Sequence, residues 1–218
     1  FCGSPVYVGF LGIFYSKLIG CKNSLWIQDI WPEAIQSTIG LKYNFLQKII
    51  NKIQDIMWKN TDIIFSQSDS LTIFLKNKYR NLNVFTLLNP SRENAVNENK
   101  YKSRDIANKK IKVFSYLGNI GKAQSIDLFL DSFQSINNDN FKLNMCGDGS
   151  ALENFKKEYT NSNFIWHGWI EGQKLDDLIN ETDFFILSLN SYGRQSLIIP
   201  SKLQTYFRYN KPILCLSS

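Results

Sequence analysis

The sequence has few of the residues from which metal sites and disulfide frameworks are built. Among its 218 residues there is one histidine, His167, and there are four cysteines with no CxxC pair among them. The cysteines lie far apart in the chain, at Cys2, Cys21, Cys146 and Cys215. This pattern argues against a zinc site and is typical of thiols that stay reduced in the cytosol.

Long hydrophobic runs are also missing. A helix that crosses a bilayer needs about 20 consecutive apolar residues. The most apolar segment, residues 6–19, is shorter than that and is interrupted by Gly9, Gly12 and Lys17. We therefore predict a buried helix there instead of a membrane span.

The chain does have a globular composition with a moderate basic excess. Hydrophobic residues make up 44% and charged residues 20%, which is enough apolar material for a packed interior. The net charge of +6 favours an anionic partner, but the basic residues are dispersed, which argues against a nucleic-acid binder. Because the chain starts at Phe1 and stops at Ser218 just after a predicted strand, we expect it to be a fragment.

Segments with strand and helix periodicity alternate along the chain, which predicts an α/β protein with parallel sheets. Residues 93–110 are polar, mixed in charge and without periodicity, and this predicts a linker. The sequence therefore predicts two domains, over residues 1–92 and 111–218.

Four loops in the second half follow predicted strands and carry glycine, polar donors or both. In open parallel sheets such loops share the edge where ligands bind. Glycine lets backbone N–H groups approach a phosphate, and Lys122 and Lys202 can neutralise its charge. Taken singly, each loop is also explained by a plain turn, and the last by an ordinary capped helix. The loops are Gly118-Asn119-Ile120-Gly121-Lys122, Gly147-Asp148-Gly149, His167-Gly168 and Pro200-Ser201-Lys202.

The two common nucleotide-binding fingerprints are absent. The sequence contains neither GxGxxG nor GxxxxGK(S/T), so neither NAD binding nor an ATPase is supported. The sequence thus predicts a phosphate-bearing ligand that is bound in another way.

In the first half, Asp29 follows a predicted strand, and Trp31 and Glu33 lie close behind it. The carboxylate could contact sugar hydroxyls while the indole offers a stacking face. The alternative is a packed turn at Trp31-Pro32, with Glu33 stabilising a helix N-terminus. His167 also allows two interpretations, a residue that lines a cleft or a hydrogen-bonded structural histidine.

The segment from Asn44 to Asn60 predicts a helix with an apolar stripe and with lysines 48, 52 and 59. Such a helix either lies on an anionic bilayer or turns its stripe to the core and its basic face to solvent. The stripe consists of Leu46, Ile49, Ile50, Ile53 and Met57.

Together these segments resemble the family 4 glycosyltransferases of the GT-B fold, especially the bacterial branch that assembles surface polysaccharides from deoxy and N-acetylamino sugars. The resemblance covers nearly the whole chain. The Asp29 and Pro200 segments are specific to that branch, whereas GxG is generic. The segments that carry the resemblance are Gln28-Asp29-Ile30-Trp31-Pro32-Glu33, residues 116–124, Cys146-Gly147-Asp148-Gly149, Pro200-Ser201-Lys202-Leu203 and Lys211-Pro212.

The resemblance implies two Rossmann-like domains whose parallel sheets face each other across a cleft, both of them incomplete here. Residues 1–92 would be the C-terminal part of the acceptor domain, and residues 111–218 the nucleotide-sugar domain, truncated at its C-terminal end. The implied reaction transfers a sugar with retention from a nucleotide-diphosphate donor, with UDP expected, to a lipid-linked or polysaccharide acceptor. It needs no metal and no obligatory protein base, because stabilisation of the departing diphosphate carries the catalysis. We expect a cytoplasmic location at the inner face of the membrane, and the alternative is a noncatalytic nucleotide-sugar-binding module or an inactive remnant.

The residues and the resemblance together imply a site. Lys122, Lys202 and Asp29 are expected to be catalytic, and Trp31 and Glu33 to bind the acceptor. Donor binding is expected of Gly118, Asn119, Gly121, Gly147, Asp148, Gly149, His167, Pro200, Ser201 and Thr205.

One departure from the wider family concerns its E-x7-E motif, whose second Glu binds the ribose. The corresponding positions here are Leu197 and Thr205. A hydroxyl can still bond a ribose but lacks the charge-assisted grip of a carboxylate. We therefore expect the nucleotide contacts to rest mainly on phosphate.

Overall fold

The structure is a computed structural model that describes residues 6–31, 44–89, 106–121, 124–136, 138–189 and 193–217. The chain forms two compact units, and each contains a parallel sheet. The first unit combines Phe1–Asn89 with Ser191–Ile199, and the second combines Pro90–Asn190 with Pro200–Ser218. The predicted α/β class with parallel sheets is confirmed.

The first unit has a three-stranded sheet in the order β1-β2-β3. The helix Asp69–Lys78 begins directly after Ser68, whose hydroxyl accepts the backbone N–H of Leu71 at 3.0 Å and caps the first turn. The strands are β1 Ser24–Ile27, β2 Ile63–Ser66 and β3 Val84–Thr86, and the helices are α1 Val6–Leu18, α2 Asn44–Lys59 and α3 Asp69–Lys78.

Helix α2 turns one face to the apolar core of the first unit and the other face outward. Met57 and Trp58 are buried, whereas Phe45, Leu46 and Ile49 are exposed. The predicted stripe therefore faces the core only in part, since two of its members lie on the outer side. None of the described helices is long and apolar enough to cross a bilayer.

The second unit has a five-stranded parallel sheet in the order β6-β5-β4-β7-β8. The strands are β4 Lys112–Leu117, β5 Phe141–Cys146, β6 Phe164–Gly168, β7 Phe184–Leu189 and β8 Ile213–Ser217. The helices are α4 Asp127–Gln134, α5 Leu152–Glu158, α6 Gln173–Glu181 and α7 Ser201–Phe207. The sequence predicts that His167-Gly168 follows a strand, but in the structure both residues lie inside β6.

Apolar clusters cover both faces of this second sheet, as is typical of parallel sheets. On one face Tyr116 packs against Phe129, with ring centroids 5.5 Å apart. On the other face Phe185 stacks on Tyr206 at 4.4 Å. The strand order reverses at β4, which pairs with both β5 and β7. In folds of this kind, ligands bind beyond the carboxyl ends of the strands at that reversal.

The chain returns to the first unit after β7, which the sequence does not predict. Residues 193–199 include a short 3-10 helix, Gly193–Leu197, and Leu197 and Ile198 pack against the core of the first unit. Residues 193–199 therefore interrupt the predicted domain of residues 111–218, because their apolar side chains pack in the first unit.

Most of the predicted linker, residues 93–105, lies outside the described residues. In its remaining part, Lys109 forms an ion pair with the buried carboxylate of Asp183 at 2.5 Å. Asp183 also accepts the backbone N–H of Val113 at 2.8 Å. The end of the linker is thus fixed at the amino-terminal edge of the second sheet.

Candidate functional site

The loop after β4 is built on two buried tyrosines. The Tyr116 hydroxyl donates to the backbone carbonyl of Asn119 at 2.7 Å. The Tyr206 hydroxyl accepts the backbone N–H of Leu117 at 2.9 Å. Because the two hydroxyls bond the backbone on either side of Gly118, they fix the path of the loop at its start.

Backbone hydrogen bonds join this loop to the strand ends beside it. The Ile120 N–H donates to the Asp148 carbonyl at 2.8 Å, and the Gly147 N–H donates to the Gly168 carbonyl at 2.8 Å. The carboxyl ends of β4, β5 and β6 therefore present one continuous backbone surface.

Gly147 and Gly149 are required by the approach of two loops to each other. A Cβ atom on Gly147 would lie 1.9 Å from the Gly118 carbonyl oxygen, and one on Gly149 would lie 2.3 Å from the Ile120 carbonyl oxygen. Their φ angles of +141° and +158° also favour glycine. The sequence predicts these glycines as points of phosphate approach, whereas the structure gives them a nearer neighbour, the loop after β4.

The polar side chains of these two loops are exposed. Asn119 donates to the Gln124 side chain at 3.2 Å, and Gly121 lies beside the same pair. The Asp148 carboxylate accepts the N–H of Gly149 at 2.7 Å. Each of these side chains keeps further donors or acceptors that a ligand could use.

Lys202 lies directly beneath the loop after β4. Its ammonium donates to the Tyr116 hydroxyl and is 3.9 Å from the centroid of the Tyr116 ring. A Cβ atom on Gly118 would lie 2.6 Å from Lys202 Cε, so the lysine side chain occupies the space that glycine leaves. The structure thus places Lys202 next to Gly118 and joins it through the Tyr116 hydroxyl to the Asn119 carbonyl, and their role in donor binding stays a prediction.

Burial changes the titration of this lysine. Removal of solvent from the side chain lowers the pKa of Lys202 to about 7. Desolvation likewise raises the pKa of Tyr116, so the hydroxyl stays protonated. The ammonium is therefore easily lost when no anion is near, and a bound anion would favour its charged form.

The other predicted residues of this segment are less engaged. Pro200 is the N-cap of α7 and offers no side-chain cap, and Ser201 is exposed. The Thr205 hydroxyl donates to the Ser201 carbonyl at 3.3 Å. This bond uses the hydroxyl hydrogen within the helix and leaves only lone pairs for a ribose.

His167 is tied into a polar network on the sheet. Its Nε2 atom lies 2.9 Å from Asn144 Oδ1, and Asn144 donates to the Ser115 hydroxyl at 3.4 Å. Desolvation lowers the pKa of His167. These contacts correspond to the structural alternative of the sequence analysis, and a donor contact of His167 stays a prediction.

Trp169 is a residue that the sequence analysis did not select. It follows β6 directly, is 67% exposed and donates its indole N–H to Glu171 at 2.8 Å. An exposed indole at a ligand-binding edge offers a stacking face for a base. The signal in the sequence was a tryptophan directly after the His167-Gly168 loop.

In the first unit, Asp29 and Trp31 follow β1 and are partly buried. Side-chain amides link the carboxyl ends of the three strands next to them. Gln28 donates to Asn89 at 2.9 Å, Asn89 donates to Gln67 at 2.8 Å, and Gln67 donates back to the Gln28 carbonyl at 2.6 Å. This closed ring of hydrogen bonds fixes the backbone just before Asp29.

Two predicted site residues, Lys122 and Glu33, lie outside the described residues. In the described part of the chain, no group of three or more His, Cys, Asp or Glu side chains is placed to hold a metal ion.

Residues 97–194 match the family described as "Glycosyl transferases group 1". No curated protein sequence matches the chain. The match includes the loops after β4, β5 and β6 and ends just before the segment that contains Lys202.

The chain is similar in fold to solved glycosyltransferases. The similarity to the lipopolysaccharide outer core galactosyltransferase WaaB covers 95% of this chain and 59% of that one, with 16% identity and a TM-score of 0.56. The similarity to the sucrose-phosphate synthase of Thermosynechococcus elongatus covers 95% of this chain and 53% of that one, with 10% identity and a TM-score of 0.70. The similarity to Anabaena HepE, solved with UDP and glucose, covers 95% of this chain and 56% of that one, with 10% identity and a TM-score of 0.61. The chain therefore spans little more than half the length of these structures, and the predicted GT-B fold with incomplete domains is confirmed.

Proposed function

We propose that the protein is a glycosyltransferase that transfers a sugar from a nucleotide-diphosphate donor to an acceptor, because residues 97–194 match the group 1 glycosyl transferase family and the chain is similar in fold to solved glycosyltransferases. We propose UDP as the nucleotide, because solved structures of similar fold include HepE with UDP and glucose and an O-GlcNAc transferase with UDP and GlcNAc. The proposed acceptor is lipid-linked or a growing glycan, and the proposed stereochemistry is retention.

The observation that carries the proposal is the position of Lys202 beneath the loop after β4. The loop starts at the carboxyl end of the central strand, where the strand order reverses. Its backbone is held by Tyr116, and the same tyrosine accepts the Lys202 ammonium. A cation beside a loop with a fixed backbone suits a diphosphate, whose charge grows as the sugar departs.

The remaining predicted residues complete the proposal. Lys122 would add a second cation to the diphosphate, and Gly121 and Asp148 would line the same loops. Trp169 would stack on the base at the outer end of the surface formed by β4, β5 and β6. In the first unit, Asp29, Trp31 and Glu33 would contact the acceptor sugar.

We also propose that the outer face of α2 contacts an anionic membrane, which would bring the protein to a lipid-linked acceptor. The exposed side chains Phe45, Ile49 and Ile56 alternate with Lys48 and Lys52 on this helix. Apolar and basic side chains on one face are typical of helices that lie in the interface of a bilayer.

Substitution of Lys202 tests the donor site. We expect Lys202→Met to weaken UDP binding about tenfold to a hundredfold, as for a lost hydrogen bond to a charged group. The measurement is isothermal titration of UDP, with thermal unfolding to verify that the variant is folded. Lys174→Ala removes an exposed lysine of α6 and is the matched control. An unchanged UDP affinity in Lys202→Met would overturn the assignment of this loop, whereas UDP binding without sugar transfer would support a noncatalytic module.

A further inference from the structure

Two side chains hold the turn that follows β1. One is Gln54 of α2, and the other is Arg194, which lies far along the chain. Gln54 of α2 is 1% exposed and bonds both backbone groups of Trp31. We assign the orientation of its amide from these two neighbours: with the nitrogen turned to the Trp31 carbonyl, the amide donates to that carbonyl at 2.6 Å and accepts the Trp31 N–H at 3.1 Å. The backbone of this turn is therefore satisfied by a buried side chain instead of by a strand.

The second holder is Arg194, which lies 163 positions further along the chain. Its guanidinium donates to the Trp31 carbonyl at 3.2 Å and to Asn51 Oδ1 at 2.8 Å. Asn51 and Gln54 are three residues apart on α2 and so share one face of that helix. The Trp31 carbonyl thus accepts one neutral donor and one cationic donor.

The segment that carries Arg194 is itself fixed in the first unit. The Ser68 hydroxyl, which caps α3, also donates to the Leu197 carbonyl. Leu197 and Ile198 pack against the same apolar core that contains Ile30. Arg194 is therefore presented from a rigid support and not from a free loop.

We propose that Arg194 is a positioning residue for the turn Asp29–Trp31 and that it acts on acceptor binding. This inference rests on the proposed function, in which Asp29 and Trp31 contact the acceptor sugar. The guanidinium fixes the Trp31 carbonyl, and that bond sets the direction of the indole and the place of the carboxylate two residues earlier. Both bonds come from one terminal nitrogen, Nη2, whose two N–H groups point in fixed directions within the guanidinium plane, whereas the N–H groups of a lysine ammonium rotate freely.

The test compares acceptor and donor binding in variants of the protein. The acceptor probe is octyl β-glucoside, the donor probe is UDP, and both affinities are measured by calorimetric titration. We expect Arg194→Ala to weaken octyl β-glucoside binding about tenfold, the typical effect of losing a charge-assisted hydrogen bond, and to leave UDP binding within twofold. Arg194→Lys is expected to recover only part of the loss. Arg80→Ala, which removes an exposed arginine of the first unit, is the matched control.

Hydrogen exchange supplies a readout that does not depend on ligand. We expect the amides of residues 29–31 to exchange faster in Arg194→Ala and, to a smaller extent, in Asn51→Ala, which removes the second acceptor of the guanidinium. Unchanged exchange at these amides together with unchanged octyl β-glucoside affinity would overturn the positioning role. A wild-type protein that binds UDP but not octyl β-glucoside would overturn the acceptor part, and one that binds neither probe would overturn the proposed function itself.

Discussion

Lys202 serves two neighbours with one side chain. Its ammonium binds the Tyr116 hydroxyl, and its methylene groups fill the space that Gly118 leaves open. Burial lowers its pKa to about 7, so the unliganded protein holds a lysine that is charged below that pH and mostly neutral above it.

This titration predicts proton uptake on ligand binding. At about pH 8 the free Lys202 is mostly neutral, and a bound diphosphate raises its pKa by favouring the ammonium. We expect the wild-type protein to take up about half a proton or more when it binds UDP at that pH. Titration calorimetry in two buffers of different ionisation enthalpy measures the uptake. Equal uptake by Lys202→Met would show that another group is responsible.

At single residues, the sequence does not predict contacts that join distant parts of the chain. The sequence predicts Gly118 and Lys202 at one edge of the sheet because each is assigned to a loop after a strand, although in the structure residues 193–199 lie between β7 and the segment of Lys202. The need for glycine at 147 is not predictable in that way, since it arises from the carbonyl of Gly118 in another loop. Arg194 is missed for the same reason, because its partners lie more than 140 positions away.

At the scale of elements, periodicity alone places most strands and helices of the described residues within a few positions. The helix over residues 44–59 is one example. The extent of β6 is less predictable, because Gly168 is held by pairing with Cys146 of β5 across a shift in register at His167, and not by an apolar pattern. The direction of the apolar face of α2 is likewise decided by its neighbours.

The outer face of α2 gives a prediction at this scale. We expect the protein to sediment with vesicles that contain 30% phosphatidylglycerol and much less with pure phosphatidylcholine, because the lysines add attraction to an anionic surface. The double substitution Lys48→Glu and Lys52→Glu should remove this difference. Lys156→Glu, on a helix of the second unit, is the control. Equal sedimentation of the wild-type protein with both vesicles would contradict the membrane contact.

At the scale of the whole molecule, the chain leaves the first unit, builds most of the second, returns with residues 193–199 and leaves again at Pro200. The sequence predicts two α/β domains and a linker but not this return. The return depends on contacts between distant parts of the chain, because Leu197 and Ile198 pack against the core of the first unit. Two apolar residues in a short segment give no sequence signal for such a contact.

The family match over residues 97–194 and the similar solved structures support the proposed sugar transfer. The matched residues include the three loops that would receive a nucleotide-diphosphate, and the similar solved structures include enzymes in complex with UDP. The residues of the first unit that would meet the acceptor are Asp29 and Trp31, held by Gln54 and Arg194. The central claim is therefore sugar transfer from a UDP-linked donor at the loop after β4.

Mass spectrometry of reaction products tests this claim most directly. The protein is incubated with octyl β-glucoside and, in separate reactions, with UDP-glucose, UDP-galactose and UDP-N-acetylglucosamine. We expect one of these donors to add the mass of a single sugar to the acceptor. We also expect Lys202→Met to reduce the amount of product at least tenfold, whereas Lys174→Ala leaves it unchanged. Absence of product with every donor, in a folded protein that also fails to bind UDP, would contradict it.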